Sequence, residues 1–295
     1  MSSSSLGSFS SAQATPISPS VQDILGASFG IADNTQTSVN QTVARQLEAI
    51  QQQQDAQAHT RSQVKSQQQL DSLYARLSKE EHEVVLQKMQ EFVQLPAGHL
   101  KKEDELYLEQ QLSDMFGFEV AVELEGHRLN HSVGRMESLP HLRRHPGDTL
   151  SAHDAYREAG LAEKRGGFGW FTQMGQLNEG AIQDEKYYIA AQVSFVSAWN
   201  AQYATLKKWF AFRKVLVINP AEQKAVVAVI GDIGPRDWLQ KQFGGSPEVI
   251  REAEIWTPKS KGRVLVLFVN ELDQRIPLGP IDLAFEQMTL EKDSS

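Results

Sequence analysis

The sequence predicts an α+β protein in which long, coiled-coil-like N-terminal helices precede a small C-terminal β-barrel or sandwich. Two observations predict it. No Pro or Gly falls between Asn34 and Leu95, where Val39, Val43, Leu47 and Ile50 recur at helical spacing. Past residue 186 the apolar residues instead gather in short runs, 187–195, 214–218, 225–230 and 264–269, separated by turns.

Residues 1–35 are Ser-, Ala- and Pro-rich, a composition that cannot offset the entropy of ordering, so a flexible tail is expected there. Residues 36–116 form the helical region. Its first half is weak, because 51–69 is dominated by Gln and holds Val64 as its only large aliphatic residue. The seam strengthens through Leu70, Leu73, Leu77, Val84, Val85, Met89 and Phe92, and Ser78-Lys79-Glu80-Glu81 has the form of a capping box. Pro96 and Gly98 end that helix, and a second is expected over 101–115, closed by Gly117. Helices over 36–95 offer a surface for self-association.

Residues 117–182 are a mixed connecting segment to which the sequence assigns no role. Within it, 118–124 alternates at period two as a strand does, and 151–162 reads as a helix. A barrel domain is expected over 183–285, with a flexible tail over 286–295.

Composition excludes several classes of function. A formal charge of −8 provides no global field toward nucleic acid, and no nucleic-acid partner is expected. The absence of Cys removes disulfides, thiol catalysis and Cys-bound zinc. Residues 1–27 lack Lys, Arg and a long apolar run, so no export signal is expected in the chain as it stands, nor is any membrane span.

One segment carries a family resemblance. Lys214–Asn219 ends in Asn ahead of a turn. A second strand then runs into Asp232-Ile233-Gly234-Pro235, Gly244-Gly245-Ser246-Pro247 opens a short helix, and Gly262-Arg263-Val264 starts a closing strand. This order and spacing resemble the double-psi β-barrel of the rare lipoprotein A and expansin-like group. The resemblance implies a six-stranded double-psi barrel, a cell-envelope or secreted location, and peptidoglycan or another cell-wall glycan as partner. In bacterial members of that group the Asp of the Asp-x-Gly-Pro turn acts as acid and base in lytic transglycosylation, a role that falls on Asp232. Gly244-Gly245-Ser246 stands where the group has Asp-Leu-Ser, so one acidic position is missing. A glycan-binding barrel that breaks no bond, or a structural surface protein assembled through its helices, are the alternatives.

Asp232 needs a raised pKa to act as an acid, whereas an Asp before Gly-Pro commonly only shapes the turn. The candidate substrate contacts are Trp238, Phe243, Ser246 and Asp237. Aromatic faces suit sugars, though core packing is the better reading for most aromatics, and Trp238 is the exception because it lies in a polar loop. Asp184 and Glu185 are further candidate carboxylates. His127, His131, His141, His145 and His153 lack the HExxH or His-x-His spacing of a strong metal motif, so no metal site and no cofactor are predicted. Gly166-Gly167-Phe168-Gly169 reads as a flexible loop.

Overall fold

The computed structural model describes residues 77–271 and 275–283, all within one compact unit. The expectations for 1–76 and 284–295, including the Ser-rich tail and the first half of the helical region, lie outside the described residues.

The architecture is a closed, six-stranded mixed β-barrel. Its wall is built from β4 (Val133–Ser138), β5 (Tyr188–Ala191), β6 (Lys214–Asn219), β7 (Lys224–Ile233), β8 (Phe243–Gly245) and β9 (Arg263–Asn270). Around the wall, β9 pairs with β4, β4 with β8, β8 with β5 and β5 with β7; β6 then closes the ring by pairing with both β7 and β9. The β4–β8 and β5–β7 pairs are parallel and the rest antiparallel. Two further strands pair onto the wall, β1 (Glu119–Ala121) with β9 and β10 (Gly279–Asp282) with β7. A small hairpin, β2 (Glu123–Leu124) with β3 (His127–Arg128), lies between β1 and β4.

Strands β6, β7 and β9 are apolar on both faces because both faces are covered. Val215, Val217, Val226, Val266 and Phe268 join a core that also takes in Met136, Ile189 and Phe243. The alternate residues Leu216, Ile218, Val227, Leu265 and Leu267 pack beneath two helices, α1 (Lys79–Phe92) and α2 (Lys102–Phe116). Three more helices complete the described set: α3 (Glu179–Lys186), α4 (Tyr203–Phe210) and α5 (Pro247–Glu252).

This corrects the predicted fold class. The barrel is present, but among the described residues there are five helices of 6 to 15 residues and no long coiled-coil helix. The break expected at Pro96 and Gly98 is present, but the two helices spend their apolar stripes on the barrel and form no coiled-coil seam: Val85, Met89 and Phe92 from α1, Leu108, Leu112 and Met115 from α2. Val84, which the spacing also assigns to the seam, is exposed. The local signals were sound. Ser78 and Glu81 form the full capping box, and Gly117 ends α2 at φ 69°. The helix expected over 151–162 is replaced by two three-residue 3₁₀ turns, with His153 between them turned inward and fully buried. Segment 117–182 supplies β1 and β4, so the sheet reaches back well before residue 183. No helix among the described residues is long and apolar enough to cross a membrane.

Asn219 ties the β6–β7 hairpin to the rest of the molecule. Fully buried at the end of β6, its Nδ2 donates to the carbonyls of Ala253 (2.8 Å) and Glu254 (2.9 Å) just past α5. Asn219→Ala leaves both carbonyls without this donor and is expected to cost about 2–3 kcal/mol, read as a lower midpoint in urea at unchanged m-value. A loss under about 0.5 kcal/mol, the range of a neutral surface change, would show that these bonds do not hold the hairpin.

Candidate active site

The site is built where β7 leaves the barrel. Gly231 has no room for a side chain: a Cβ there would lie 2.7 Å from Cβ of Tyr188 and 2.9 Å from the Phe171 ring. The strand therefore lies tight against its neighbours and delivers the next residue, Asp232, to the rim. The amides of Gly167 and Ile233 both donate to Asp232 Oδ1. Gly167 can approach because it lacks a side chain; a Cβ would sit 3.0 Å from that same oxygen. The segment expected to be a flexible loop is thus the clamp on the carboxylate. Both hydrogen bonds fall on one oxygen, which leaves Oδ2 for a ligand.

Beyond Asp232 the turn passes through Gly234, at φ 149°, and Pro235, opening a cleft of about 470 Å³. Leu139, Phe195, Pro235 and Leu239 give it apolar walls, and Ser194, Arg236 and Lys241 give it polar ones. Asp232 is the only carboxylate among the lining residues. Burial pushes its pKa up, and the two amide bonds, which favour the ionised form, offset only part of that effect. Lys241 is engaged by Glu137 at 2.7 Å, and the Arg236 guanidinium lies over the Trp238 ring at 5.3 Å.

The other predicted contacts have different places. Trp238 is 68% exposed and Asp237 is exposed, both in the short turn between Arg236 and Gln240; they flank the cleft without lining it. Phe243 is 1% exposed and packs in the barrel core, which leaves no ring face for a sugar. Ser246 is completely buried: its Oγ accepts from Val249 N as the cap of α5 and donates to Lys186 O, so its hydroxyl is spent on structure. The missing acidic position therefore coincides with a stretch of β8 that lies under its neighbours, where a Cβ on Gly244 would meet Leu139 at 2.4 Å.

Sequence reasoning missed a second polar centre. His141, Arg144, Asp148 and His153, all from the connection between β4 and α3, meet Glu185 of α3 and Glu248 of α5, and all six are 3% exposed or less. Glu185 accepts from Arg144 Nε (2.9 Å) and Leu142 N (3.1 Å), and its Oε1 lies 3.3 Å from His141 Nδ1. Burial alone would raise its pKa, but the imidazoles of His141 and His153 and the charge of Arg144 bring it down to about 2. Burial pushes Glu248 up to about 7. For His141 burial opposes protonation, yet the hydrogen bond and charge of Glu185 and the charge of Glu248 raise its pKa. Asp184, next along α3, has its pKa raised by burial and is not among the cleft residues. Tyr188, wholly buried, touches both centres electrostatically: burial and the charges of Asp232, Glu185 and Glu248 hold its phenol protonated, and it donates to Pro140 O at 2.6 Å. The buried centre thus stands behind the wall of the cleft. Its signal in the sequence was the density of His and Arg over 127–153; what spacing could not give was that residues 44 and 107 positions beyond His141 complete it.

Comparison of the chain with protein-family models, with curated proteins and with solved structures gives no match.

Proposed function

We propose that the barrel binds a glycan strand across the Asp232 cleft and cleaves it by lytic transglycosylation, acting on peptidoglycan in the cell envelope. The single observation that carries this reading is a lone, half-desolvated carboxylate on the rim of an open cleft, with one oxygen fixed by backbone amides and the other free. Hydrolytic glycosidases pair two carboxylates, one for the leaving group and one for water or the glycosyl intermediate. One carboxylate suffices when the sugar supplies its own nucleophile. Protonated Asp232 gives its proton to the glycosidic oxygen as the C1–O bond breaks; the 6-hydroxyl of the same sugar attacks C1, and Asp232 takes up the proton released from that hydroxyl. The C1–O6 bond closes an anhydro ring, no water is consumed, and the carboxyl ends as it began. A raised pKa keeps Asp232 in the acid form that the first step needs. The closed six-stranded barrel is compatible with the double-psi topology on which the family resemblance rests.

A second reading, a glycan-binding barrel that cuts nothing, is favoured by the two amide bonds on Oδ1, since they would also serve an aspartate that only shapes its turn. Incubation with purified sacculi separates the two. The lytic reading expects anhydro-muropeptides in the digest, with Asp232→Asn lowering the rate by roughly 10²–10⁴-fold, the usual contribution of a positioned acid–base group. Co-sedimentation with sacculi and no soluble product means binding alone, and neither result means that the cleft does not serve this polymer.

Asp232→Asn is also expected to leave the melting temperature unchanged or higher. A native carboxyl with a raised pKa binds protons that the unfolded chain has already lost, so stability falls as pH rises from the ordinary Asp value through the native one. The amide keeps an oxygen for Gly167 and Ile233 and removes that cost. For the same reason the cleavage rate declines as pH rises through the pKa of Asp232; a rate that climbs across that window contradicts its role as acid.

A further inference from the structure

Residues 139–178 connect β4 to α3 with nothing more regular than two three-residue 3₁₀ turns, and a connection of that length needs something to hold it. Besides Leu142 and Phe171, its buried side chains are polar: His141, Arg144, Asp148 and His153. The protons in that cluster can be placed from the acceptors around it. His141 Nε2 lies 3.0 Å from the carbonyl of Ala155, which can only accept, so Nε2 carries hydrogen. His153 Nε2 lies 3.2 Å from Asp148 Oδ2, and that carboxylate already accepts from the amides of Arg144 and Thr149, so Nε2 carries hydrogen there too. In both neutral rings the lone pair is therefore on Nδ1, and both Nδ1 atoms point at the Glu185 carboxylate.

His141 Nδ1 is 3.3 Å from Glu185 Oε1, and His153 Nδ1 is 3.2 Å from Glu185 Oε2. At that distance His153 Nδ1 still has no hydrogen-bond partner, although it is buried. Glu248 places Oε2 3.9 Å from His141 Nδ1, and neither of its buried oxygens has a partner beyond its own amide. With the imidazoles neutral, His153 Nδ1 and both Glu248 oxygens are thus buried acceptors left without a donor beside the Glu185 carboxylate. Three buried carboxyl groups, Asp148, Glu185 and Glu248, face one buried guanidinium, Arg144, and the two imidazoles. Ligand atoms bound to one tetrahedral zinc at about 2.0–2.1 Å stand about 3.3–3.4 Å apart. The two contacts to Glu185, one to each of its oxygens, are of about that length. His141, His153 and Glu185 each offer one donor atom, and these atoms lie within 4.8 Å of one another.

We propose that His141, His153, Glu185 and Glu248 form a buried structural site for a divalent transition metal, zinc by its donor set. Nitrogen and oxygen donors without thiolate suit zinc. Three of the four ligands have an orienting partner: the Ala155 carbonyl for His141, Asp148 for His153, and Arg144 with the Leu142 amide for Glu185. The site is sealed from solvent, so it binds structure together and does no chemistry. It clips the 139–178 connection to α3 and α5, and Leu139, two residues before His141, is a wall of the Asp232 cleft. The assignment is independent of the glycan reading.

The test uses the full chain, stripped with chelator and titrated with zinc alone. One zinc per chain should survive dialysis, and the melting temperature should rise by roughly 5–10 °C at saturating metal. Glu248→Gln is the decisive variant, because it preserves shape and removes an unpaired buried charge, so its metal-free form should fold and melt no lower than the wild type. Its zinc affinity should fall at least about tenfold, with a correspondingly smaller thermal shift. Cobalt(II) in the wild type should give the visible absorption of tetrahedral coordination. The proposal is overturned by absence of stoichiometric zinc, by equal thermal shifts in wild type and Glu248→Gln, or by magnesium shifting the wild type as much as zinc. In any of those cases the cluster is a proton-bridged ion network.

Discussion

Strand β6 is hydrogen-bonded along both edges, to β7 on one side and β9 on the other, and this double pairing turns an open sheet into a closed wall. A closed wall has no free edge to protect, and its strands can be apolar on both faces provided something covers the outside. Helices α1 and α2 provide that cover over β6, β7 and β9. The closure also fixes where β7 ends. With one side of β7 held by β6 and the other by the parallel strand β5, Asp232 has little freedom to be anywhere but the rim.

From that position the chemistry of Asp232 follows by competition. Burial favours the neutral acid, the amides of Gly167 and Ile233 favour the anion, and burial prevails. The same contest runs differently a short way behind the cleft wall. Glu185 is more deeply buried than Asp232 yet stays ionised, because two imidazoles and a guanidinium surround it. Glu248, whose oxygens no side chain hydrogen-bonds and for which burial outweighs the more distant charge of His141, is pushed up to about 7. Two carboxylates in one cluster thus have opposite fates set by what faces them, and Tyr188 packs where both fields meet.

Much of the barrel was legible from residues 214–269, because β6, β7 and β9 are long, apolar and bounded by strong turn residues. The cap of α5 at Ser246 could be read for the same reason, since Ser-Pro-Glu satisfies local backbone needs that do not depend on the fold. Strand β4, with Gly134 and Arg135 inside it, and the three-residue β8 were not readable: pairing, not pattern, makes them strands. The helical seam of α1 was read correctly in period and wrongly in partner, because periodicity tells which face is apolar and nothing about what covers it. Asp232 could be singled out by its turn, but its clamp could not, as Gly167 lies 65 residues earlier. Phe243 shows the converse: its aromatic ring fits a sugar or a core equally well on paper, and only the closed wall decides for the core.

The central claim is that closure of the barrel holds Asp232 as a protonatable acid with one oxygen open to a glycan. A carbon-13 NMR titration of the aspartate carboxyl carbons, with Asp232 assigned by comparison with D232N, reads it directly. The account predicts a midpoint above that of an unstructured aspartate, and a midpoint that moves when a soluble peptidoglycan fragment is added. An ordinary or lowered midpoint that the fragment leaves in place would contradict it.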